Sequence, residues 1–466
     1  MTSLRAESRL IALIVASAFF IQGLDSAIIN TSLPQMAASL QVATLDMSIG
    51  ITVYMLASAA FVPISGWLAD RFGARDVFIS SILIFTLASL ACGFSHSLLQ
   101  LSVARAVQGL GGALMTPVGR MVVLRNTEKH QLLHATALIT WPALAAPVIG
   151  PVLGGFITTY FSWRWNFLIN IPIGLMGVWL AFRFIPNAKE ATANSLDWRG
   201  LMLSSSALSI TLFGLESFAH DSVLHSLPVL MTLIGLTIGY LAVGHFHRTT
   251  FPLLNLSSLQ VPTYRICNLS AGTFFRISST TVPFLLPLLF QIGFGLSALA
   301  AGSWMLAYFA GNLGMKPITS QILKRFGFRS TLLVNGTITA TCIISFALLT
   351  PTLPTSLMVA ILLLAGLTRS MQFTALNTLA FADITAAQRS SSSTLASMLM
   401  QMTSVLGIAL GSLLLKVTQA IGARTHSTLA DFQIAFIVTG TMVLFSTLIY
   451  LKLPQDAGAE VSGHRS

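Results

Sequence analysis

Fourteen long apolar stretches run almost end to end through this chain, and charge hardly interrupts them. They fall near residues 10–33, 45–69, 76–96, 98–121, 132–158, 164–186, 198–217, 225–245, 265–291, 296–323, 328–348, 354–377, 391–416 and 431–453. A hydrocarbon core about 30 Å thick needs about 20 apolar residues per helix, so the chain reads as an all-α polytopic membrane protein with fourteen transmembrane helices. Only 8% of its residues are charged, against about 25% in soluble domains, and no segment is long enough for a separate soluble domain. The runs are continuously apolar rather than alternating, and lipid offers no water to an open backbone, so helices are expected and a barrel is not.

The net charge of +11 could suggest a nucleic-acid partner, but its distribution points to a lipid bilayer. With a cytoplasmic N-terminus, eighteen of the 25 Lys and Arg residues fall on the inner side, among them Arg71, Arg75, Arg125, Lys129, Lys189, Arg248 and Arg465. Three fall outside, Arg164, Lys416 and Arg424, and four lie within spans, Arg105, Arg276, Lys316 and Arg369. This bias places both termini in the cytoplasm and accounts for the charge without nucleic acid. The first span follows Arg5 and Arg9 as a signal peptide would, but it carries Asp25 and precedes thirteen more spans, so it is read as retained. Cys92, Cys267 and Cys342 lack metal-ligand spacing and read as small apolar fillers. His130, His134, His245 and His247 lie near inner loops and read as solvated rather than as a metal site. No catalytic constellation and no phosphate-cradling Gly-Lys-Ser/Thr loop occurs, so neither an enzyme nor ATP hydrolysis is expected, and no cofactor or metal.

The chain repeats itself. Residues 64–75 read Ile-Ser-Gly-Trp-Leu-Ala-Asp-Arg-Phe-Gly-Ala-Arg, and residues 318–329 read Ile-Thr-Ser-Gln-Ile-Leu-Lys-Arg-Phe-Gly-Phe-Arg. Each follows the second span of a six-span group. The expected organisation is an N-terminal six-helix bundle, 1–190, two inserted helices with linkers, 191–260, and a C-terminal six-helix bundle, 261–466. Tandem halves of this kind imply a pathway between them and alternating access.

Four motifs now carry a resemblance. Leu24-Asp25-Ser26-Ala27-Ile28-Ile29-Asn30-Thr31-Ser32-Leu33-Pro34 lies in the first span, and Gly66-Trp67-Leu68-Ala69-Asp70-Arg71-Phe72-Gly73 in the loop after the second. Arg105-Ala106-Val107-Gln108-Gly109-Leu110-Gly111-Gly112 lies in the fourth, and Gly150-Pro151-Val152-Leu153-Gly154-Gly155 in the fifth. With Trp163-Arg164-Trp165-Asn166-Phe167-Leu168-Ile169-Asn170-Ile171-Pro172, they make the chain resemble, over its whole length, the fourteen-span drug:proton antiporter branch of the major facilitator superfamily, and within it the MdtD-type group. The resemblance implies a proton-coupled secondary active transporter, an antiporter exporting small organic compounds or drugs across the bacterial inner membrane. It implies a small-molecule substrate and protons as partners, and a monomer. It associates Arg105 with proton coupling and the Gly150–Gly155 run with antiport.

The residues themselves support specific roles. A carboxylate in hydrocarbon is costly, so Asp25 is a functional candidate. Burial favours a neutral carboxyl and a nearby cation a charged one; a group drawn both ways can change protonation with its surroundings. Asp25 and Arg105 are each about 10–12 Å below the outer boundary at 1.5 Å per residue, a depth that permits an ion pair. Pro151 disfavours a straight helix, while Gly150, Gly154 and Gly155 allow close helix approach, a plausible seal against proton leak. Asp70, Arg71, Gly73 and Arg75 occupy a tight loop in which Gly73 permits a special turn and Asp70 can latch onto a helix N-terminus or an arginine. In the second copy Lys324 replaces the acid, so an asymmetric latch is expected. Arg276, Arg369 and Lys316, with Gln108, Gln372 and Asn377, are the expected cargo-binding groups, because charges this deep should face a cavity or a partner. Their surplus positive charge favours anionic, zwitterionic or neutral solutes over lipophilic cations. Two alternatives remain open: an exporter of organic anions such as carboxylates or their metal chelates, and a transporter-like sensor without flux.

Overall fold

The computed structural model describes residues 6–127, 132–186, 196–220, 226–249, 253, 256–385, 388–424 and 426–462. Lys129, His130, Lys189 and Arg465 lie outside these residues, as does the side chain of His134. Among the described residues there is helix and no strand. All fourteen apolar stretches fall on helix. Eleven helical spans among the described residues are long and apolar enough to cross a membrane.

The first compact unit comprises Met1–Gly214 and Val229–Leu253. Its bundle is built from α1 (Ala6–Leu40), α2 (Ser48–Phe61), α3 (Ser65–Phe72), α4 (Ala74–Gly93), α5 (Leu98–Arg125), α6 (Leu132–Tyr160), α7 (Trp165–Leu168) and α8 (Asn170–Phe184). Helix α4 shows why such segments are helices with two different faces. Ala74, Val77, Phe78, Ser81, Ile82, Phe85, Ser89 and Cys92 recur at three- and four-residue spacing and are buried. Leu83, Leu87 and Leu90 on the other side are exposed, as befits a surface solvated by lipid. Helix α5 starts at Ser97, whose hydroxyl accepts from the Gln100 N–H, an N-cap of the usual kind. Pro34 sits inside α1, which continues to Leu40, beyond the expected end near residue 33.

The second compact unit comprises Leu215–Pro228 and Leu254–Ser466. After α9 (Trp198–His220) and α10 (Ser226–Arg248), it is built from α11 (Pro262–Leu269), α12 (Ala271–Leu288), α13 (Ala298–Gly314), α14 (Lys316–Phe326), α15 (Phe328–Ser345), α16 (Thr355–Ala380), α17 (Arg389–Ile421) and α18 (Leu429–Ile449).

The two units repeat one packing scheme. In the first, α1 packs on α6 and α8, α5 on α2 and α4, and α4 on α8. In the second, α12 packs on α17 and α18, α16 on α13 and α15, and α15 on α18. The register is fixed by glycines. Gly73 and Gly327, 254 residues apart, both take positive φ, +96° and +71°, at the α3–α4 and α14–α15 turns. Gly109 and Gly366, 257 apart, face the backbone carbonyls of Tyr54 and Tyr308, themselves 254 apart. Gly150 and Gly154 on α6 press against α1; Gly407 and Gly411, 257 residues later on α17, press against α12. The three extra residues fall in the longer connection before α16.

The inserted pair leans on the first unit. Ser205 Oγ donates to the Ala60 carbonyl at 2.9 Å, Trp198 meets Trp67 edge-on, and Leu201 joins the core of the N-terminal bundle. Its ends are clasped by Asp197. Asp197 Oδ1 accepts from the Gly200 N–H at 2.8 Å and faces His245 Nε2 at 2.7 Å; Oδ2 accepts from the Leu253 N–H at 3.2 Å. This corrects the expectation that His245 is a solvated loop residue: α10 runs on to Arg248, so His245 lies in its last turn. His247 is exposed as expected. Burial pushes the Asp197 carboxyl up, but the bonds from His245, Gly200 and Leu253 outweigh it and hold it below the usual carboxylate range. A depressed value means stability that is present above the unfolded value of about 3.9 and lost as pH falls through the folded one. Asp197→Asn should therefore destabilise the chain at neutral pH. Thermal unfolding of both proteins should converge only once the pH falls below that lowered value; a gap that persists unchanged in acid would refute this account of the clasp.

Candidate functional site

Five elements of the first unit aim polar groups at one buried point. Asp25 on α1 is 3% exposed and Arg105 on α5 is 0% exposed. Arg105 Nη1 donates to Asp25 Oδ2 at 2.6 Å and to Gln108 Oε1 at 2.6 Å, and Nε donates to the Gly50 carbonyl at 3.2 Å. Gln108, one turn along α5 on the same face, donates through Nε2 to Asp25 Oδ1 and to Ser89 Oγ, both at 2.8 Å. Asn170 at the start of α8 donates through Nδ2 to Asp25 Oδ1 at 3.1 Å and to Ser89 Oγ at 3.3 Å. Ser89 Oγ in turn donates a hydrogen bond to the Phe85 carbonyl at 2.8 Å. Cys92 Sγ donates to Gln108 Oε1 at 3.8 Å. The guanidinium lies 4.3 Å from the centre of the Tyr54 ring and 5.8 Å from that of Phe167, within cation–π range.

Two features of this cluster matter chemically. Desolvating an ion pair costs several kcal/mol per ion unless good geometry and further hydrogen bonds repay it, and here the carboxylate receives three N–H donors. All three incoming groups are donors. A proton added to either Asp25 oxygen would meet N–H rather than an acceptor, so neutralising the acid forces the cluster to rearrange. Arg105 Nη2 is buried with no hydrogen-bond partner among the described residues, a loose valence at its centre.

The residues expected at gates are placed as follows. Asp70 Oδ1 accepts from Arg125 Nη2 at 2.8 Å, closing the end of α3 onto the end of α5. Arg75 pairs with its neighbour Asp76 at 3.0 Å, and Arg71 is exposed. Gly73 supplies the turn that parts α3 from α4. Gly150 and Gly154 let α6 lie on α1: a Cβ on Gly150 would stand 2.5 Å from that of Ala27, and one on Gly154 2.9 Å from the Ile28 carbonyl oxygen. Pro151 and Gly155 are buried.

The expected cargo groups make separate sets of contacts. Gln108, expected to bind cargo, belongs to the Asp25 cluster, where its amide bonds Arg105, Asp25 and Ser89. Gln372 is buried, accepts from Asn335 at 2.8 Å and donates to the Leu332 carbonyl, tying α16 to α15. Arg276 and Asn377 do meet, Nη2 donating to Oδ1 at 2.9 Å, while Nη1 donates to the Cys267 carbonyl at 2.8 Å. Arg369 Nε donates to Ser279 Oγ at 2.7 Å and Lys316 Nζ to Thr374 Oγ1 at 2.9 Å. The sequence reading missed Ser89, Tyr54, Cys92 and the Gly50 carbonyl as partners, and gave Asn170 no role. It also missed Arg125 as the partner of Asp70.

The model of the Major Facilitator Superfamily matches residues 15–408 and again 269–466. The chain belongs to that superfamily. It is 35% identical over 466 residues to "Putative multidrug resistance protein MdtD" of Salmonella typhimurium, covering 98% of this chain and 97% of the relative. The protein of the same description from Pectobacterium atrosepticum is 35% identical over 448 residues, 95% of each. Among solved structures, the fold matches a D-xylose–proton symporter with TM-score 0.70 at 13% identity, covering 96% of this chain and 98% of that one. It also matches a bacterial homologue of the human lysosomal transporter Spinster with TM-score 0.67 at 14% identity, over the whole of both chains. As a member of this superfamily, the chain is a multi-pass membrane transporter.

Proposed function

We propose that this transporter is a proton-driven antiporter that exports small organic compounds from the cytoplasm across a bacterial inner membrane. In this reading both termini are cytoplasmic, a single chain suffices, and the bundles 1–190 and 261–466 alternate access. The observation that carries it is the Asp25 cluster: an acid inside a membrane bundle, paired to Arg105 and met by donors alone. Protonation releases Arg105, Gln108 and Asn170 together, so one proton can set the packing of α1, α5 and α8. Close packing of α6 on α1 through Gly150 and Gly154 limits proton leak, and the Asp70–Arg125 pair acts as a latch at the loop.

The test is flux in proteoliposomes loaded with fluorescent drug-like cargo under an imposed pH gradient. Each pH unit should support about tenfold accumulation per proton exchanged, and a protonophore should collapse it. Cargo binding without gradient-driven movement would make the chain a sensor and end this reading.

A further inference from the structure

We propose that the second bundle carries a carboxylate-binding site centred on Arg369, built in the cradle that holds the Asp25 cluster in the first. It deepens the proposed function by naming a cargo class, and rests on that reading only for the step from binding to transport.

The repeat register shows what changed. At the positions matching Asp25, Ser89, Arg105 and Gln108 stand Ser279, Ile343, Leu362 and Ala365. Tyr54 is kept as Tyr308, and the position of Gly112 is taken by Arg369. In the first bundle a Cβ on Gly112 would point at Tyr54 Oη, 2.7 Å away. A side chain at the matching place in the second bundle is therefore aimed at Tyr308. The Arg369 guanidinium lies 5.9 Å from the centre of that ring, and its Nε bonds Ser279. So a guanidinium reaches the same ring and the same α-helical position as Arg105 does, from two turns further along its helix, and finds a hydroxyl where the first bundle has an acid. Ser279, Tyr308, Ile343, Ala365 and Arg369 are among the residues lining a residual void of about 10 Å³.

The counter-charge is missing. Among the described residues Arg369 has no ion pair, and neither Nη group has a hydrogen-bond partner. Lys316, bound to Thr374 one and a half turns along α16, has no carboxylate either. Arg276 differs, because a carbonyl and Asn377 occupy it. Arg369 is only half-buried. With Nε fixed by Ser279 and a ring behind it, its open Nη edge is a preformed fork for a carboxylate. Unpaired charge in a membrane bundle favours such a partner. Cargo thus supplies to Arg369 the acid that Asp25 supplies to Arg105.

The experiment is thermal unfolding of the full chain in detergent, at fixed ionic strength, with benzoate or its neutral analogue benzamide. Benzoate should raise the midpoint in a saturable manner and benzamide should not. Ser279→Asp places an acid beside Arg369; it should raise the midpoint without ligand and weaken benzoate binding at least tenfold, whereas Ser279→Asn should leave benzoate binding within about twofold. Equal shifts from benzoate and benzamide, or undiminished benzoate binding in Ser279→Asp, would overturn the site. The double variant Asp25→Asn with Arg105→Gln should keep the benzoate shift, so failure of proton coupling and failure of this site are read separately.

Discussion

Asp25→Asn is expected to bring gradient-driven accumulation down to equilibration, from about 100-fold across two pH units for one proton exchanged to no gradient at all. The amide keeps the size of the carboxyl and one acceptor oxygen, but it cannot take up and release a proton near neutral pH. It also puts an NH2 against a donor, since Asp25 Oδ1 receives Gln108 and Asn170 and Oδ2 receives Arg105. The variant leaves a buried guanidinium without its counter-charge, and breaking a buried pair in this way costs about 3–5 kcal/mol. Loss of flux could then be loss of fold, so the decisive protein is the double variant Asp25→Asn with Arg105→Gln. Removing both charges should restore much of the thermal stability and none of the coupling. Accumulation by either protein at the wild-type level would remove Asp25 from the mechanism.

The parts of this site that the sequence disclosed are those with a high energetic price. Asp25 and Arg105 stand out because charge within an apolar span is rare, and their matched depth placed them together. Ser89, Asn170 and Tyr54 carry no such mark. Hydroxyls occur throughout these helices, and many simply bond their own helix, as Thr86 does to the Ile82 carbonyl and Ser81 to that of Phe78. Nothing in the letters distinguishes those from Ser89. Arg276 shows the converse: its charge is as conspicuous as that of Arg105, but a backbone carbonyl takes part of it, and carbonyls are invisible in a list of side chains. The repeat was legible at the Arg-Phe-Gly turn because a glycine forced to positive φ keeps its neighbours in register. The remainder of the register lay hidden behind a three-residue change in one connection, which only the glycine contacts reveal. His245, the last residue of its expected span, was read with the inner loops, whereas α10 runs on to Arg248 and sets it against Asp197.

The glycines that reveal the register should also be among the least replaceable residues of both bundles. A Cβ on Gly366 would stand 1.9 Å from the Tyr308 carbonyl oxygen and 2.9 Å from the Asn312 nitrogen; one on Gly109 would stand 2.3 Å from the Tyr54 carbonyl oxygen. These are backbone atoms and cannot rotate aside, so α16 must part from α13, and α5 from α2. Overpacking costs about 1–3 kcal/mol and occasionally more, and helix displacement places Gly366→Ala and Gly109→Ala at the upper end. The same substitution at Gly66 on α3 and Gly314 at the end of α13 meets nothing within 4 Å. There alanine should be neutral or stabilising by about 0.5–1 kcal/mol, since glycine is the poorer helix former. Thermal unfolding of the four single variants should therefore split into two groups of opposite sign. Because each crowded carbonyl belongs to the tyrosine beneath an arginine, the damage should reach the sites selectively. Gly109→Ala should impair proton coupling before benzoate binding, and Gly366→Ala the reverse. Equal midpoints across all four would mean that the helices can separate without cost at these crossings, and that the two arginine–tyrosine clamps are not held in place by glycine contact.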